Sequence, residues 1–456
     1  MRTGMANGWG ILLTLGVAGL CGASGLAATP GPLPKPTLAY LGAGPGGDGA
    51  HGLGGPGFRQ ALAQDLRESG VFKRVELPAG SGALEASPPA DLGEGDLLLR
   101  TQTRVTGHGK LLVTCKGTRS GNPAADFSRV FVADRQAWPW LAHRVADFIV
   151  AKVTGTPGVA ASELVFARRT GPGTSEIFGS ERDGSHLRKL TAFGSMATHP
   201  TLAADGRLAL VSFKGGPPEI WGQGSAFGPL QKLYPDRGHE GLGISDLAWS
   251  PDGTRIAFIQ ENHTGTAGLR VLEPQSGRVI CLTLPAHRAQ SPSWNPEGTA
   301  LAYVSDQDGG PQVFIVDADG GHLRQLTRGG APKLCAAWAP VGDRIAFAAA
   351  ATGRSEVWTV KPDGEQLHPV ATLTESVQSL CWAPDGRWLL FGLKHAGEFR
   401  LAVSDLEGFR PKLADDLAAG QFPQWTRAHP KVAVPPLADS SAAHREPAPH
   451  GAASPS

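Results

Sequence analysis

The sequence predicts an all-β, six-bladed β-propeller that is preceded by a small α/β domain. The main observation is a motif of the form Trp-x-Pro-x-Gly, which starts at four positions 45, 44 and 44 residues apart: Trp249, Trp294, Trp338 and Trp382. Each motif is followed by short apolar segments with Gly-containing turns between them, which gives four predicted strands per unit. A repeat of this length and content is typical of a propeller blade.

Incomplete copies of the repeat at both ends indicate how the ring closes. An incomplete copy of the motif, with His199-Pro200 and Asp205-Gly206, precedes the four motifs. A truncated copy, Phe422-Pro423-Gln424-Trp425, ends 43 residues after Trp382. The chain therefore enters the repeat one strand late, at residues 164–167, and leaves it one strand early. The last strand can complete the first blade and remove its open edge, so we expect six blades over residues 162–427.

Structural roles account for most residues of the repeat. The Trp recurs at one strand position in each unit, which favours packing between blades over a binding surface. The Asp of the turns, as in Asp252 and Asp385, is expected to cap its own turn rather than to bind Ca²⁺. Cys335 and Cys381 are interpreted as buried small residues rather than as a disulfide. The cysteine spacing matches no metal pattern, so no metal or cofactor is expected.

The chain outside the repeat divides into four parts. Residues 1–28 are predicted to be a signal peptide, because Arg2 precedes an apolar segment and small residues end it. Residues 29–36 are Pro-rich, and residues 37–156 form the α/β domain, with helices over 58–69 and 138–153. Residues 428–456 are predicted to be a disordered tail. No other segment is apolar enough to cross a bilayer, so we expect export without membrane insertion.

Charge and motifs argue against several classes of function. The 42 basic and 41 acidic residues leave a net charge of +1, which gives no support for nucleic-acid binding. The sequence has no Gly-x-Ser-x-Gly nucleophile motif and no phosphate-binding loop. On the second predicted helix, His143 is expected to pack against the second domain, with Asp147 one turn later as its candidate partner.

Four stretches give the chain a resemblance to a known family. Residues 65–72, 142–147, 247–253 and 305–313 resemble the TolB family, the periplasmic propeller proteins of the Tol-Pal system. The resemblance implies a monomeric, non-enzymatic scaffold that binds the lipoprotein Pal at one mouth of the propeller and supports outer-membrane constriction during division. It also implies a contact with the inner-membrane protein TolA through the N-terminal segment, residues 29–36 here, which lacks the family's usual first strand.

The candidate partner-binding residues lie just before each Trp strand. These segments should enter from loops near the propeller axis, and they repeatedly carry polar side chains beside apolar strands. The residues are His199, Ser245, Asp246, Gln290, Ser291, Lys333, Gln378, Ser379 and Gln421. We expect them to line one mouth of the channel, although a solvated rim would have the same composition.

Two other functions remain open from the sequence. A propeller hydrolase or lyase would need convergent acid, base or metal-binding residues at the mouth, and the candidate residues supply only one His and one Asp. A propeller that binds a glycan or small molecule would favour aromatic residues at the mouth. The candidate residues contain none, which disfavours this alternative.

Overall fold

The structure, a computed structural model, describes residues 38–43, 56–76, 93–122, 126–225, 228–235, 243–406, 412–413 and 420–426. The predicted signal peptide, Pro-rich segment and C-terminal tail lie outside the described residues. Within those ranges, no helix has both the length and the apolar character that a membrane span requires.

The N-terminal domain is a five-stranded sheet with two helices. Its elements are β1 (Leu38–Ala43), α1 (Pro56–Glu68), β2 (Arg74–Glu76), β3 (Leu97–Val105), β4 (Lys110–Arg119), β5 (Phe127–Asp134) and α2 (Trp138–Thr154). The strand order is β2-β1-β3-β4-β5, with β1 parallel to β2 and β3 and the other pairs antiparallel. Apolar side chains spaced one turn apart, such as Phe58, Leu62 and Leu66, form one core with the sheet. The helix α2 ends where Gly155 adopts a φ of +73°, a conformation that glycine takes without steric cost.

Six four-stranded antiparallel sheets follow and confirm the predicted six-bladed propeller. Blade 1 consists of β29 (Gly420–Thr426), β6 (Glu163–Gly171), β7 (Thr174–Glu181) and β8 (Arg188–Lys189). Blade 2 consists of β9 (Ala197–Leu202), β10 (Leu208–Ser212), β11 (Glu219–Gln223) and β12 (Leu230–Tyr234). Blade 3 consists of β13 (Ile244–Trp249), β14 (Ile256–Glu261), β15 (Ala267–Glu273) and β16 (Arg278–Cys281).

The remaining blades repeat this order. Blade 4 consists of β17 (Ala289–Trp294), β18 (Ala300–Ser305), β19 (Gln312–Asp317) and β20 (Arg324–Gln325). Blade 5 consists of β21 (Lys333–Trp338), β22 (Ile345–Ala351), β23 (Arg354–Val360) and β24 (His368–Leu373). Blade 6 consists of β25 (Ser376–Trp382), β26 (Trp388–His395), β27 (Glu398–Asp405) and β28 (Lys412–Leu413).

The last strand closes the ring in blade 1. The strand β29 pairs antiparallel with β6, with Gln421 opposite Ala167 and Trp425 opposite Leu164. The Trp425 indole N–H also donates to the Ser162 hydroxyl at 2.7 Å. The first and last strands of the propeller therefore share one sheet, and β6 is paired on both sides, with β29 and β7.

The repeated Trp side chains tie neighbouring blades together, as the repeat predicts. The indole N–H of Trp294 donates to the Ala248 carbonyl at 3.0 Å, and that of Trp382 donates to the Ala337 carbonyl at 2.9 Å. An Arg of the preceding blade stacks on the next Trp: the Arg255 guanidinium lies 4.7 Å from the Trp294 ring centroid and donates to the Gly298 carbonyl. The Trp294 tie thus combines apolar burial, a hydrogen bond and a cation–π contact across one blade interface.

The Asp side chains of the turns cap those turns, as expected. Asp252 accepts a hydrogen bond from the Thr254 amide at 3.1 Å, and Asp385 accepts one from the Arg387 amide at 2.9 Å. Cys335 and Cys381 are buried free thiols, as expected, and burial raises the pKa of each to about 12. Neither thiol ionises at neutral pH, which agrees with a packing role.

A cluster of charged side chains joins the two domains at blade 1. His143 on α2 contacts Asp65 on α1 at 2.6 Å and Glu181 at the end of β7 at 3.5 Å. Arg182 of the propeller forms an ion pair with Glu68 on α1. The expectation that His143 packs against the propeller is therefore confirmed.

The expected pairing of His143 with Asp147 is wrong. Asp147 turns instead to the interdomain linker, where it accepts hydrogen bonds from the amides of Ala160 at 2.6 Å and Ala161 at 3.1 Å. The linker approaches α2 so closely that a Cβ atom at Gly158 would lie 2.5 Å from the Asp147 Cα. Free backbone amides attract the carboxylate away from the helix surface, where a one-turn pairing gains only a few tenths of a kcal/mol.

A comparison of Trp294→Phe with Trp249→Phe should distinguish the contribution of the indole hydrogen bond to stability from that of apolar packing. Trp294→Phe removes the bond to Ala248, whereas the buried indole N–H of Trp249 has no hydrogen-bond partner among the described residues. We expect Trp294→Phe to lower the free energy of unfolding by about 1 kcal/mol more than Trp249→Phe. Urea denaturation of both variants measures this difference, and equal losses would show that the hydrogen bond adds nothing.

Alkaline pH should weaken the contact between the domains. Burial lowers the pKa of His143, but hydrogen bonds to Asp65 and Glu181 outweigh burial and raise it to about 10. A raised pKa in the folded state stabilises the protein fully below the ordinary value of 6.5, and this contribution is lost as the pH rises towards 10. His143→Gln should cost about 1–3 kcal/mol at pH 6.

Thermal denaturation between pH 6 and 10 tests this expectation. The wild type and His143→Gln should differ most at pH 6 and converge at the alkaline end, because only the wild type loses a proton from this site. If the difference in stability between the two proteins does not change with pH, the conclusion that His143 is charged in the folded protein at pH 6 is wrong.

Candidate functional site

The innermost strands of the six blades surround an axial channel. They are β9, β13, β17, β21, β25 and β29, and the cavity between them has a volume of about 550 Å³. At the end where these strands begin, hereafter the mouth, the channel is lined by the side chains of His199, Asp246, Ser291, Ser379 and Phe422. At the other end, the prolines of the hairpin turns contribute to the wall: Pro251, Pro296, Pro340 and Pro384. The channel is therefore polar at the mouth and more apolar at the far end.

A bulged backbone directs the mouth residues into the channel. His199, Asp246, Ser291 and Phe422 each have a left-handed φ of +47° to +53°. At each of these positions the pairing with the second strand of the blade changes register. A left-handed φ is costly for residues other than glycine, and it persists where the surrounding sheet imposes it. The mouth is thus a rigid part of the blades rather than a set of free loops.

Neighbouring blades connect through the mouth side chains. The Nε2 atom of His199 lies 3.1 Å from an Asp246 carboxylate oxygen, and the other Asp246 oxygen accepts a hydrogen bond from the Ser291 amide at 3.0 Å. On its other side, the His199 ring stacks on Phe422, with 3.8 Å between ring centroids. Four residues from blades 1 to 4 therefore form one continuous network around the mouth.

Asp246 is the anionic centre of this network. Burial raises the pKa of its carboxyl group, but the hydrogen bonds from His199 and from the Ser291 amide outweigh burial and hold the pKa below its usual value. Asp246 thus carries a negative charge at neutral pH beside a histidine, and it can accept further hydrogen bonds from a partner in the channel.

The other five candidate residues do not line the channel. Lys333 folds back to donate to the carbonyls of Gly329 and Ala331, and its blade presents Ala336 to the channel instead. Gln290 donates to the Leu334 carbonyl of the next blade, and Gln378 donates to the Ser376 hydroxyl. Ser245 and Gln421 pair with the second strand of their blades, opposite Ile259 and Ala167. Successive residues of a strand point to opposite faces, so the neighbours of a channel residue point away from the channel.

Phe422 lines the mouth but is not among the candidate residues, although a regular spacing could have identified it. Asp246, Ser291, Ser379 and Phe422 each stand three residues before the Trp of their strand, whereas Ser245, Gln290, Gln378 and Gln421 stand four residues before it. Contrary to expectation, the mouth therefore does not lack aromatic residues, because Phe422 contributes a ring.

The described residues offer no evident catalytic or metal centre. They contain no group of three or more His, Cys, Asp or Glu side chains placed to hold a metal ion. The Ser291 atom that contacts Asp246 is the backbone amide and not the hydroxyl, so the contact does not pair a hydroxyl with a base. The arrangement is suited to hydrogen bonding and charge recognition.

The family follows from a sequence comparison. The family model described as the TolB beta propeller domain matches residues 150–429, which is more than half of the chain. The chain belongs to this TolB propeller family. Its membership agrees with the six blades, with the strand that closes blade 1 and with the resemblance found in the sequence.

Related proteins support the same family. The Tol-Pal system protein TolB of Anaeromyxobacter dehalogenans is 31% identical over 253 residues, which cover 54% of this chain and 49% of that protein. The protein TolB homolog of Chlorobium luteolum is 30% identical over 188 residues, which cover 40% of this chain and 41% of the homolog. The matched segments thus span less than half of the length of these curated relatives.

A solved structure supports the fold of both domains. The crystal structure of TolB from Acinetobacter baumannii superposes with a TM-score of 0.71 and covers 87% of this chain and 97% of that chain. The identity is 19%, so the likeness establishes the architecture and not the residues of the site.

Proposed function

We propose that this chain is a periplasmic protein-interaction scaffold of the Tol-Pal system. Its propeller mouth holds a Pal-type, peptidoglycan-associated lipoprotein of the outer membrane. Its N-terminal part links that complex to the inner-membrane Tol proteins, with TolA contacted through residues 29–36. In this role the protein maintains the outer membrane and supports its constriction during division, after export directed by residues 1–28.

The mouth network is the observation that carries the proposal. A partner loop that enters a channel of about 550 Å³ would be buried on several sides, and it would meet an ionised Asp246 and His199, which contact each other. Preorganised polar groups in a concave site give orientation and specificity at little entropic cost. The name of the Anaeromyxobacter relative, a Tol-Pal system protein, favours a Tol-Pal partner over other protein partners.

A channel that binds a sugar is the second candidate. Phe422 favours it, because sugar rings stack on aromatic faces, and Asp246 could accept hydrogen bonds from sugar hydroxyl groups. One face of the Phe422 ring is already stacked on His199, however, which leaves less aromatic surface for a ligand. We therefore rank the protein scaffold first.

Capture from the source organism's envelope extract is the first test. The immobilised protein should retain an outer-membrane lipoprotein with a peptidoglycan-binding domain, identified by mass. Retention of cell-wall sugars without a protein would support the second candidate. Retention of neither would contradict both proposals.

Charge reversal at Asp246 should weaken binding of the captured lipoprotein. Asp246→Lys reverses the charge at the mouth and removes the carboxylate that His199 contacts. We therefore expect a loss of about tenfold or more in affinity. Asp246→Asn keeps an acceptor for the Ser291 amide and tolerates the left-handed φ, so its loss should be smaller. Isothermal titration with the soluble domain of the lipoprotein measures both.

Asp363→Lys is the matched control. Asp363 is an exposed residue of the hairpin between β23 and β24, at the end of the propeller opposite the mouth, and the substitution makes the same change of charge. It should leave the affinity unchanged. If Asp246→Lys binds like the wild type and keeps its melting transition, the mouth is not the binding site.

A further inference from the structure

The N-terminal sheet has one face that no other described element covers. The helices α1 and α2 pack on the opposite face, where Leu97, Leu99, Leu111 and Val113 are buried. The uncovered face, hereafter the outer sheet face, includes Arg100, Arg104, Leu112, Thr114, Lys116, Ser128, Val130 and Val132. Val130 and Val132 are 54% and 57% exposed, which makes them prominent apolar side chains of this domain.

The outer sheet face carries positive charge without acidic partners. Arg100 stands directly opposite Lys116 in the β3–β4 pair, and Arg104 follows on the same face. Among the described residues none of the three forms an ion pair. Two acidic residues of this face are paired elsewhere, Asp134 with Lys110 at 2.6 Å and Glu76 with Arg74. Like charges directly opposite each other destabilise a sheet. An acidic group supplied from outside would therefore be favourable here.

The strand β5 leaves a long edge open beside these residues. It is the last strand of the sheet and has eight residues, whereas the other edge strands of the described sheets have two to seven. It contains no proline, and its pairing with β4 runs without a bulge. Every second residue of such an edge points its N–H and C=O groups away from the sheet. Long unprotected edges are sites at which another strand can add.

The side chains along β5 define what that strand should look like. On the outer sheet face an added strand would meet Val130 and Val132. On the helix side it would meet Arg129, which is exposed and whose guanidinium lies 5.2 Å from the Phe131 ring centroid. Side chains of the added strand alternate in the same way. One of its faces should be apolar, and the other should be acidic.

We propose that the β5 edge and the outer sheet face bind an extended segment of a partner protein in which apolar and acidic residues alternate. The apolar side chains pack on Val130 and Val132, and an acidic side chain pairs with Arg129. This site lies in the N-terminal domain and goes beyond the binding of a lipoprotein at the propeller mouth.

The open edge favours a protein over an anionic membrane as the occupant. Lipid offers no partners for backbone N–H and C=O groups, so an edge strand inserted in a bilayer would leave them unsatisfied. A peptide strand satisfies those groups, and main-chain hydrogen bonds then supply affinity while the alternating side chains supply specificity.

Two synthetic peptides test the proposal with the intact protein. One has eight residues that alternate valine and glutamate, and the other alternates valine and lysine. Fluorescence anisotropy should show that the glutamate peptide binds about tenfold or more tightly than the lysine peptide, because attraction to Arg129 is replaced by repulsion. Hydrogen exchange should show protection of the β5 amides by the glutamate peptide. Equal binding of both peptides, or no protection of β5, would overturn the proposal.

Variants locate the site. Arg129→Glu should reduce affinity for the glutamate peptide about tenfold and restore binding of the lysine peptide. The matched control is Lys73→Glu, because Lys73 is exposed just before β2, at the opposite edge of the same sheet. Its affinity should stay within about twofold of the wild type, since charges separated by more than a Debye length are screened. Equal effects of the two variants would mean that peptides respond to net charge alone, and the site would be rejected.

Two other occupants are outcomes of the same experiments. Sedimentation of the protein alone would detect a dimer through β5, and a dimer broken by Arg129→Glu would overturn the choice of a partner segment. Flotation with vesicles that contain the anionic lipid phosphatidylglycerol tests binding to a membrane, because anionic lipids attract basic surface patches. Vesicle binding lost in Arg129→Glu, without binding of the glutamate peptide, would also overturn it.

Discussion

The pairing of β29 with β6 is the interaction on which the rest of the propeller depends. It places the last strand of the chain inside the first blade, so the ring has no open seam between its ends. The hydrogen bond from Trp425 to Ser162 ties the same strand to the residue that precedes β6. Neighbouring blades then meet through buried Trp side chains, and Trp294 is held both by the Ala248 carbonyl and by Arg255 of the previous blade. Without closure, blades 1 and 6 would each expose an apolar face.

The number of blades could be predicted from the sequence because the repeated residues serve the blade interfaces. Trp249, Trp294 and Trp382 recur at one period since each must reach the same place in the next blade. Turn residues such as Asp252 act within a few positions of themselves, so their role could also be predicted. The contact of His143 with Asp65 could not, because these residues are 78 positions apart and belong to different helices.

The mouth was harder to predict because its geometry depends on bulges that the pattern of apolar residues does not reveal. A shift of one residue moves a side chain from the channel to the opposite face of its strand. Asp246 and Ser291 face the channel, while the adjacent Ser245 and Gln290 do not. Lys333 occupies a similar place in the sequence but finds two carbonyl partners in its own loop. A selection by polar side chains alone therefore includes residues that do not line the channel. The number of residues between each candidate and the Trp of its strand distinguishes those that do.

The strand that closes the ring also contributes a residue to the candidate site at the mouth. Phe422 belongs to the last strand, and His199, on which it stacks, belongs to the second blade. The network that continues through Asp246 to the Ser291 amide therefore begins at the seam where the chain closes. A partner that binds the assembled mouth binds only the closed ring, so its binding free energy adds to the stability of closure. The residues that recognise a partner and the strand that completes the fold are in this way thermodynamically coupled.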